Sequence, residues 1–486
     1  MMSAGASQTP LRSEIAIIGS GPGGAITASL LAEAGRDVLL IEEGPYLPLD
    51  SCLPFSREEM VLKYRNGGLT AALGRVKIQY VEGRCVGGGS EVNSGLYHRT
   101  PPEILDEWTR EYRVEGISEK EMRPHFEACE RDLSVAVWPG DAPPAARKLG
   151  EGADRLGWKC LEVPRWLKCE PLAGLDGRPT SRRQSMTETY VPRALRAGCR
   201  LLAETRVRRL RRHSASRWTL EAEQANGASG PQRLTIEADS VFVCGGAIQT
   251  PALLRRSGVR KNVGNSLRLH PMIKLVAQFP DDVNSMDMGV PAQQVKEFAP
   301  RFTFGASIST PPYLAIGLRE YPETRVLKDW RQMAVYYAAT SSNGRGSIRA
   351  VPGCRDPLVR YRLTQEDFQQ LAVALQKLAR LLFEAGAHTV YPSLAGCAGL
   401  TSPADLDRLG SAVTPAQTNL MTVHLFSSCP MGEDQRQCAV DSFGQVHGHP
   451  NLYVSDASLL CSPPGVNPQG SIMALARRNA LRFLDR

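Results

Sequence analysis

The feature that most narrows the fold lies near the start of the chain. Glu14–Ile18 is a short apolar run that suits a strand buried on both faces, as in a parallel sheet. Gly19, Gly21 and Gly24 follow at G-x-G-x-x-G spacing. A helical stretch, Ala25–Ala34, then stops at Gly35, and a second strand, Asp37–Ile41, ends in Glu42. The three glycines serve different ends. Gly19 permits the tight turn, Gly21 lets backbone approach a pyrophosphate, and Gly24 lets the helix pack close to the strand. The helix N-terminus faces the phosphate charge. Glu42 stands where a carboxylate holds ribose hydroxyls, which also argues against a 2′-phosphate and so against NADP. A glycine turn alone is weak evidence. Here strand, glycines, helix, strand and acid occur in order, which predicts an α/β dinucleotide-binding unit.

A second glycine-rich segment spans Gly83–Thr100. Its three successive glycines, with Ser90 and Asn93 after them, let backbone pass close to a flat ligand. Pro101–Arg183 mixes helical stretches with a Pro-rich tract and reads as an excursion bordering the site, in the position of a lid. Leu201–Val243 alternates apolar and polar residues around a polar turn near Asn226–Gly230, which predicts a hairpin. Its last run, Ser240–Val243, is a buried strand that returns to the nucleotide-binding sheet. Within Pro271–Val351, the runs Arg301–Ile308, Leu314–Leu318 and Met333–Thr340 read as strands of a mostly antiparallel sheet. Thr364–Ala385 is an amphipathic helix with a capping-box start at Thr364 and Asp367. Its stripe of Phe368, Leu371, Leu375, Leu378 and Leu382 belongs to the core. The nucleotide-binding unit is therefore discontinuous, with a second domain inserted. The expected division is 1–100, 185–268 and 422–486 against 101–184 and 269–421.

Near the other end, Asn467-Pro468 opens a helix that continues through Ser471–Arg486. Proline is tolerated in a first helical turn, and the helix N-terminus carries a positive partial charge. Asn451–Ser458 reads as a strand ending in Asp456. His424 is a candidate general base, since imidazole is neutral near pH 7 without a large shift. A buried structural histidine fits the same residue equally well. His98, His270, His388, His447 and His449 compete on the same terms.

Composition removes other classes. At 486 residues the chain is long for one core, so two domains are expected. The formal charge of +8 comes from scattered arginines. The densest basic run, Arg206–His213, lacks a wider basic face or a nucleic-acid motif and reads as a solvated hairpin edge. No apolar run is long enough to span a membrane, and Met1–Ser13 has no secretory h-region. The cysteines form no C-x-x-C pair, which predicts reduced thiols, no metal site and a cytoplasmic protein.

At both ends and through the middle, the chain resembles the glucose–methanol–choline (GMC) oxidoreductase family of FAD enzymes. Gly19-Ser-Gly-Pro-Gly-Gly24 with Glu42 resembles its FAD fingerprint, and Gly83–Gly95 its second signature. Cys244–Pro251 resembles its third, more often begun Ala-Gly-Ala. Asp356-Pro357 with Val359–Tyr361 resembles a family segment that precedes a long helix. His424 and Asn467 fall where the family places its catalytic pair, in the His–Asn form. The Gly-Gly-Gly-Ser and Asn-Pro forms look most like the cholesterol-oxidase and long-chain-alcohol-oxidase branches. The carboxylate that cholesterol oxidases use has no match here. The resemblance implies a Rossmann-like FAD domain and an inserted α+β substrate domain on a mostly antiparallel sheet. It implies FAD contacts from Gly19, Ser20, Gly21, Gly24 and Glu42, and from Val86, Gly88, Ser90, Asn93, Ser94 and Gly95. Val207, Asp456, Ala457, Asn467, Pro468 and Gln469 complete the set. Val92 stands where some members carry the histidine that tethers FAD, so non-covalent FAD is implied.

The chemistry implied is oxidation of an alcohol CH–OH to a carbonyl. His424 takes the hydroxyl proton, the hydride passes to flavin N5, Asn467 positions the oxygen, and oxygen or another acceptor takes the electrons. A non-redox or photochemical enzyme on the same scaffold, such as a lyase or fatty-acid decarboxylase, is the alternative. A flavin- or NAD-binding module without catalysis is a further one.

Overall fold

The computed structural model describes residues 10–138, 140–170, 180–214, 217–225, 230–286, 292–322 and 326–486. Leu11–Ile18 lies in a seven-stranded sheet between Val38–Ile41 and Gln232–Val243, parallel to both. Ile15, Ala16 and Ile17 are fully buried, as a strand covered on both faces requires. Leu452–Val454 adds a further parallel partner to Gln232–Val243. Helix Pro22–Glu33 starts with proline in its first turn, and Gly35 takes φ +79° just past its end. Helix Gln469–Leu484 packs against it.

The expected hairpin is a three-stranded meander of Thr205–Ser214, Arg217–Gln224 and Gln232–Val243. Residues 226–229 of its expected turn lie outside the described residues. Thr205–Ser214 is an edge strand, and Arg211 pairs with Glu221 across it. The basic run is not uniformly solvated, however. Arg206 is buried and sits 3.2 Å from Glu43, because the strand's inner face returns to the core there.

The second sheet has nine strands. From one edge it runs Thr70–Ala72, Ile78–Tyr80, Leu420–Thr422, Met272–Gln278, Met333–Thr340, Phe302–Ala306, Gln293–Val295 and Cys160–Glu162. Thr389–Pro392 also pairs with Met272–Gln278. All its ladders are antiparallel except Leu420–Thr422 with Ile78–Tyr80. Thus Thr70–Ala72 and Ile78–Tyr80, within the first segment 1–100, contribute to the second sheet. Helix Gln365–Glu384 buries Leu371, Leu375, Leu378 and Leu382, with both halves of the Thr364–Asp367 capping box formed. One expected strand is a helix: Leu314–Leu318 falls in Pro311–Gly317 and its cap. Prolines at 311 and 312 suit a first helical turn. Leu314 and Leu318 are buried at i,i+4 while Ile316 is 60% exposed, a helical rather than an alternating burial. Among the described residues no helix is long and apolar enough to cross a membrane.

Candidate active site

The glycine turn brings backbone against backbone. A Cβ on Gly19 would stand 2.3 Å from the Cys244 carbonyl oxygen, and one on Gly24 1.9 Å from the Gly19 carbonyl oxygen. Gly21 differs: the nearest atom to a Cβ there is the Gly88 Cα, at 4.0 Å. The space above Gly21 is a cradle that a side chain would fill, which fits a diphosphate laid against bare backbone. Glu42 is buried beside it. The Ser20 N–H and hydroxyl donate to Glu42 Oε2 at 3.0 and 2.8 Å, and the Gly44 N–H donates to Oε1 at 3.0 Å. Burial raises the pKa of Glu42, and these three donors oppose that.

The second glycine segment docks on the first. The Gly87 N–H donates to Ser20 Oγ at 3.1 Å, and a Cβ on Gly88 would fall 2.9 Å from Gly21 Cα. Ser90 is fixed by donating to the Gly87 carbonyl and accepting from the Met186 N–H. Asn93 Oδ1 accepts from the Gly95 N–H, and Asn93 Nδ2 donates to Gln469 Oε1 at 3.1 Å. Gln469 Nε2 is buried without a partner among the described residues, an orphan donor at the start of the C-terminal helix that fits a bound polar ligand. Val86 and Val207 are buried in one apolar cluster, and Ser94 is half-buried beside Asn93. Asp456 faces the third glycine turn. Its Oδ2 accepts from the Gly246 N–H and Thr250 Oγ1, and its Oδ1 from the Ser458 N–H and hydroxyl, with Ala457 between.

The catalytic candidates meet at a different place. Arg268–Leu269 pairs antiparallel with Leu425–Phe426 in the register Arg268↔Phe426 and Leu269↔Leu425. Extending that register by one residue sets His270 opposite His424. Their Nδ1 atoms are 3.2 Å apart. Asn467, in the loop before the C-terminal helix, brings its Nδ2 to 3.2 Å from His424 Nε2. Gln294 Nε2 donates to Tyr337 Oη at 2.9 Å and to Asn467 Oδ1 at 3.3 Å. These bonds assign the tautomers. Asn467 Oδ1 accepts from Gln294, so Nδ2 donates to His424 Nε2. His424 then carries its proton on Nδ1 and donates to His270 Nδ1. The remaining His270 Nε2–H is buried with no partner among the described residues.

Around this file of side chains lies a small cavity of about 20 Å³, partly open to solvent. Lys296, Thr303, Tyr337 and Ser341 line it beside the two histidines, Gln294 and Asn467. Burial, with the Lys296 charge nearby, pushes the His424 pKa down to about 3. Burial also holds His270 well below its ordinary range, with His424 and Lys296 adding to it. His98 is close enough to feel the same charges and is lowered to about 3, mainly by burial. The other candidates stand elsewhere: His388 meets Thr389, His447 meets the Gly432 carbonyl, and His449 lies against Trp218.

Sequence reading did not find Gln294, Lys296 or Tyr337. Gln294 and Lys296 sit two apart at the end of Gln293–Val295 and so share a face, a period-2 signal too short to stand out. Tyr337 lies opposite Gly305, where a Cβ would stand 2.4 Å from its hydroxyl oxygen. The glycine there makes room for the phenol.

A turn shaped for a dinucleotide beside a His–Asn cavity is matched by family. Residues 61–272 and 342–476 match the two models described as GMC oxidoreductase, and residues 17–50 match an NAD(P)-binding Rossmann-like domain. The chain is 40% identical over 484 residues to a GMC-type oxidoreductase, y4nJ, of Sinorhizobium fredii, covering 98% of this chain and 95% of that one. It is 26% identical to the long-chain-alcohol oxidase FAO3 of Arabidopsis thaliana, covering 96% of this chain and 67% of that one. An FAD-dependent oxidoreductase from Chaetomium thermophilum shares the fold, with a TM-score of 0.74 and 16% identity over 97% of this chain and 99% of that one. The chain belongs to the GMC oxidoreductase family.

Proposed function

We propose that the cavity oxidises the CH–OH group of an alcohol to a carbonyl, with FAD held non-covalently along the glycine cradle. The observation that carries this reading is the pair His424 Nε2 and Asn467 Nδ2, 3.2 Å apart at the cavity wall. A substrate hydroxyl that replaced this direct bond would donate to Nε2 and accept from Nδ2. His424 is neutral at pH 7 and takes the hydroxyl proton. His270 accepts from the His424 Nδ1–H and so keeps the lone pair on Nε2. Gln294 fixes the Asn467 amide, and Asn467 holds the oxygen in place. General-base help of this kind is worth roughly 10²–10⁴-fold.

FAD is supported by the family, by the open space at Gly21 and by the orphan Gln469 Nε2. Gly19 to Gly24, Glu42, Gly83 to Gly95 and the N-terminus of Gln469–Leu484 would hold it, and Val92 offers no tether. When bound, it would accept the two electrons and the carbon-bound hydrogen that leave the alcohol. The division into a cofactor unit of 1–100, 185–268 and 422–486 and a substrate unit of 101–184 and 269–421 goes with this reading. The strand pairing supports it except at residues 70–80. The test is anaerobic mixing of the holoenzyme with aliphatic, aromatic and sugar alcohols while flavin absorbance is followed. Bleaching in the dark by one class is the expected result. If no alcohol bleaches the flavin, and light instead drives loss of CO₂ from a fatty acid, the photochemical alternative replaces this one.

A further inference from the structure

Lys296 lines the cavity, yet the alcohol chemistry has no use for it. It stands two residues from Gln294 on the same face, and its side chain borders the space that His424 and Asn467 also border. Its charge is felt by three imidazoles, those of His98, His270 and His424. Among the described residues no carboxylate pairs with it, and no carboxylate lines the cavity. The neighbouring Glu297 is committed elsewhere, accepting from the Lys159 N–H at 3.0 Å. The rest of the lining is uncharged: it offers hydrogen-bonding side chains at Gln294, Thr303, Tyr337 and Ser341 and apolar surface at Pro300, Ala339 and Val466. An ammonium held in a half-buried cavity without a counter-charge is costly to the fold, and an anion brought by a ligand removes that cost.

We propose that Lys296 selects an alcohol that also bears a carboxylate, which pairs with the Lys296 ammonium while the hydroxyl lies between His424 and Asn467. This inference rests on the alcohol-oxidation reading of the same cavity and names its substrate class. Burial lowers the Lys296 pKa to about 8, so the ammonium form holds at neutral pH and is lost above it. The other titratable groups facing Nζ do not change charge in that window. His98, His270 and His424 stay neutral, and the Tyr337 phenol is pushed up to about 12 by burial.

The test has two arms. The first compares hydroxy acids with diols of equal chain length on the holoenzyme and on Lys296→Met and Lys296→Arg. The parental enzyme is expected to prefer the hydroxy acid in kcat/KM by roughly 10- to 100-fold, the worth of one charged hydrogen bond. Lys296→Met should erase that preference by bringing kcat/KM for the hydroxy acid down to that for the diol, while Lys296→Arg keeps most of it. Lys296→Met should also raise the melting temperature, since it removes a half-buried charge that lacks a counter-charge among the described residues. The second arm needs no turnover. A saturated carboxylic acid without a hydroxyl is titrated against the flavin visible spectrum of the parental protein. Its affinity should fall as pH rises past about 8. A hydroxy acid and diol oxidised equally well, or acid binding that Lys296→Met leaves intact, overturns the proposal. Acid binding with no alcohol oxidised at all sinks the oxidation reading and leaves the carboxylate site standing. A phosphate ester preferred tenfold over the carboxylate overturns the choice of anion.

Discussion

The glycine cradle and the polar cavity meet at the start of the C-terminal helix, yet they are held by different means. In the cradle, backbone touches backbone: Gly24 against Gly19, Gly88 against Gly21, Gly23 against Ser455. In the cavity, side chains touch side chains, in a file from Tyr337 through Gln294 and Asn467 to His424 and His270. Close backbone packing permits only glycine at fixed positions, so it prints itself on the sequence. A file of side chains drawn from distant strands leaves no local spacing. It also tolerates substitution differently, because a lost hydrogen bond leaves the framework standing, whereas an added Cβ at Gly19, Gly23 or Gly24 does not.

That contrast breaks most sharply at the glycines. Gly24→Val should cost more than about 4 kcal/mol and leave little folded protein, because its Cβ has nowhere to go. Urea unfolding and soluble yield would show it. Gly21→Val should behave otherwise, folding with near-parental stability but carrying no FAD, since its side chain enters open space. A Gly21→Val protein with full flavin content would end the assignment of this turn.

In the cavity the effects should be on rate. His424→Ala should keep FAD and slow single-turnover flavin bleaching by about 10²-fold or more. His270→Ala should slow it by only about tenfold, the worth of one neutral hydrogen bond, and should change the pH profile. In the parental enzyme burial holds His424 neutral as pH falls below its ordinary 6.5, until about 3. The bleaching rate should therefore be flat from about pH 5 to 8. Opening the buried site by removing His270 should bring an acid limb into that range, and a profile identical to the parent would deny His270 its positioning role. The smallest effect is expected far from both sites. Thr364→Ala removes a helix cap and should cost about 1 kcal/mol without altering flavin content or rate.

What is legible in the sequence follows the same division. The strand–glycine–helix unit, the capping box at Thr364 and the stripe from Leu371 to Leu382 obey local periods, and the structure places them as expected. Leu314–Leu318 is a helix where a strand is expected, because a short apolar run satisfies both and only Pro311-Pro312 before it favours the helix. The nearness of His424 to Asn467 follows from resemblance, not from spacing. The His270–His424 contact depends on a two-residue ladder whose register no local pattern records. Lys296 and Tyr337 reach the cavity through pairings of antiparallel strands far apart in sequence, and such pairings have no signature within either strand.

The contact between Thr27 and Ser455, whose hydroxyl oxygens are 3.1 Å apart across 428 residues, sets the timing of assembly. The helix behind the glycine turn is translated long before its close neighbour at Ser455, which follows 428 residues after Thr27 with the strand Leu452–Val454 and the helix Gln469–Leu484 around it. Contacts of such sequence separation form slowly, since long loops must close before they stabilise anything. A nascent chain therefore emerges with its first parallel strands lacking their final partners. The pocket stays incomplete until residues 452–484 have emerged, so cofactor loading waits on them and the unloaded intermediate is the species most in need of a chaperone.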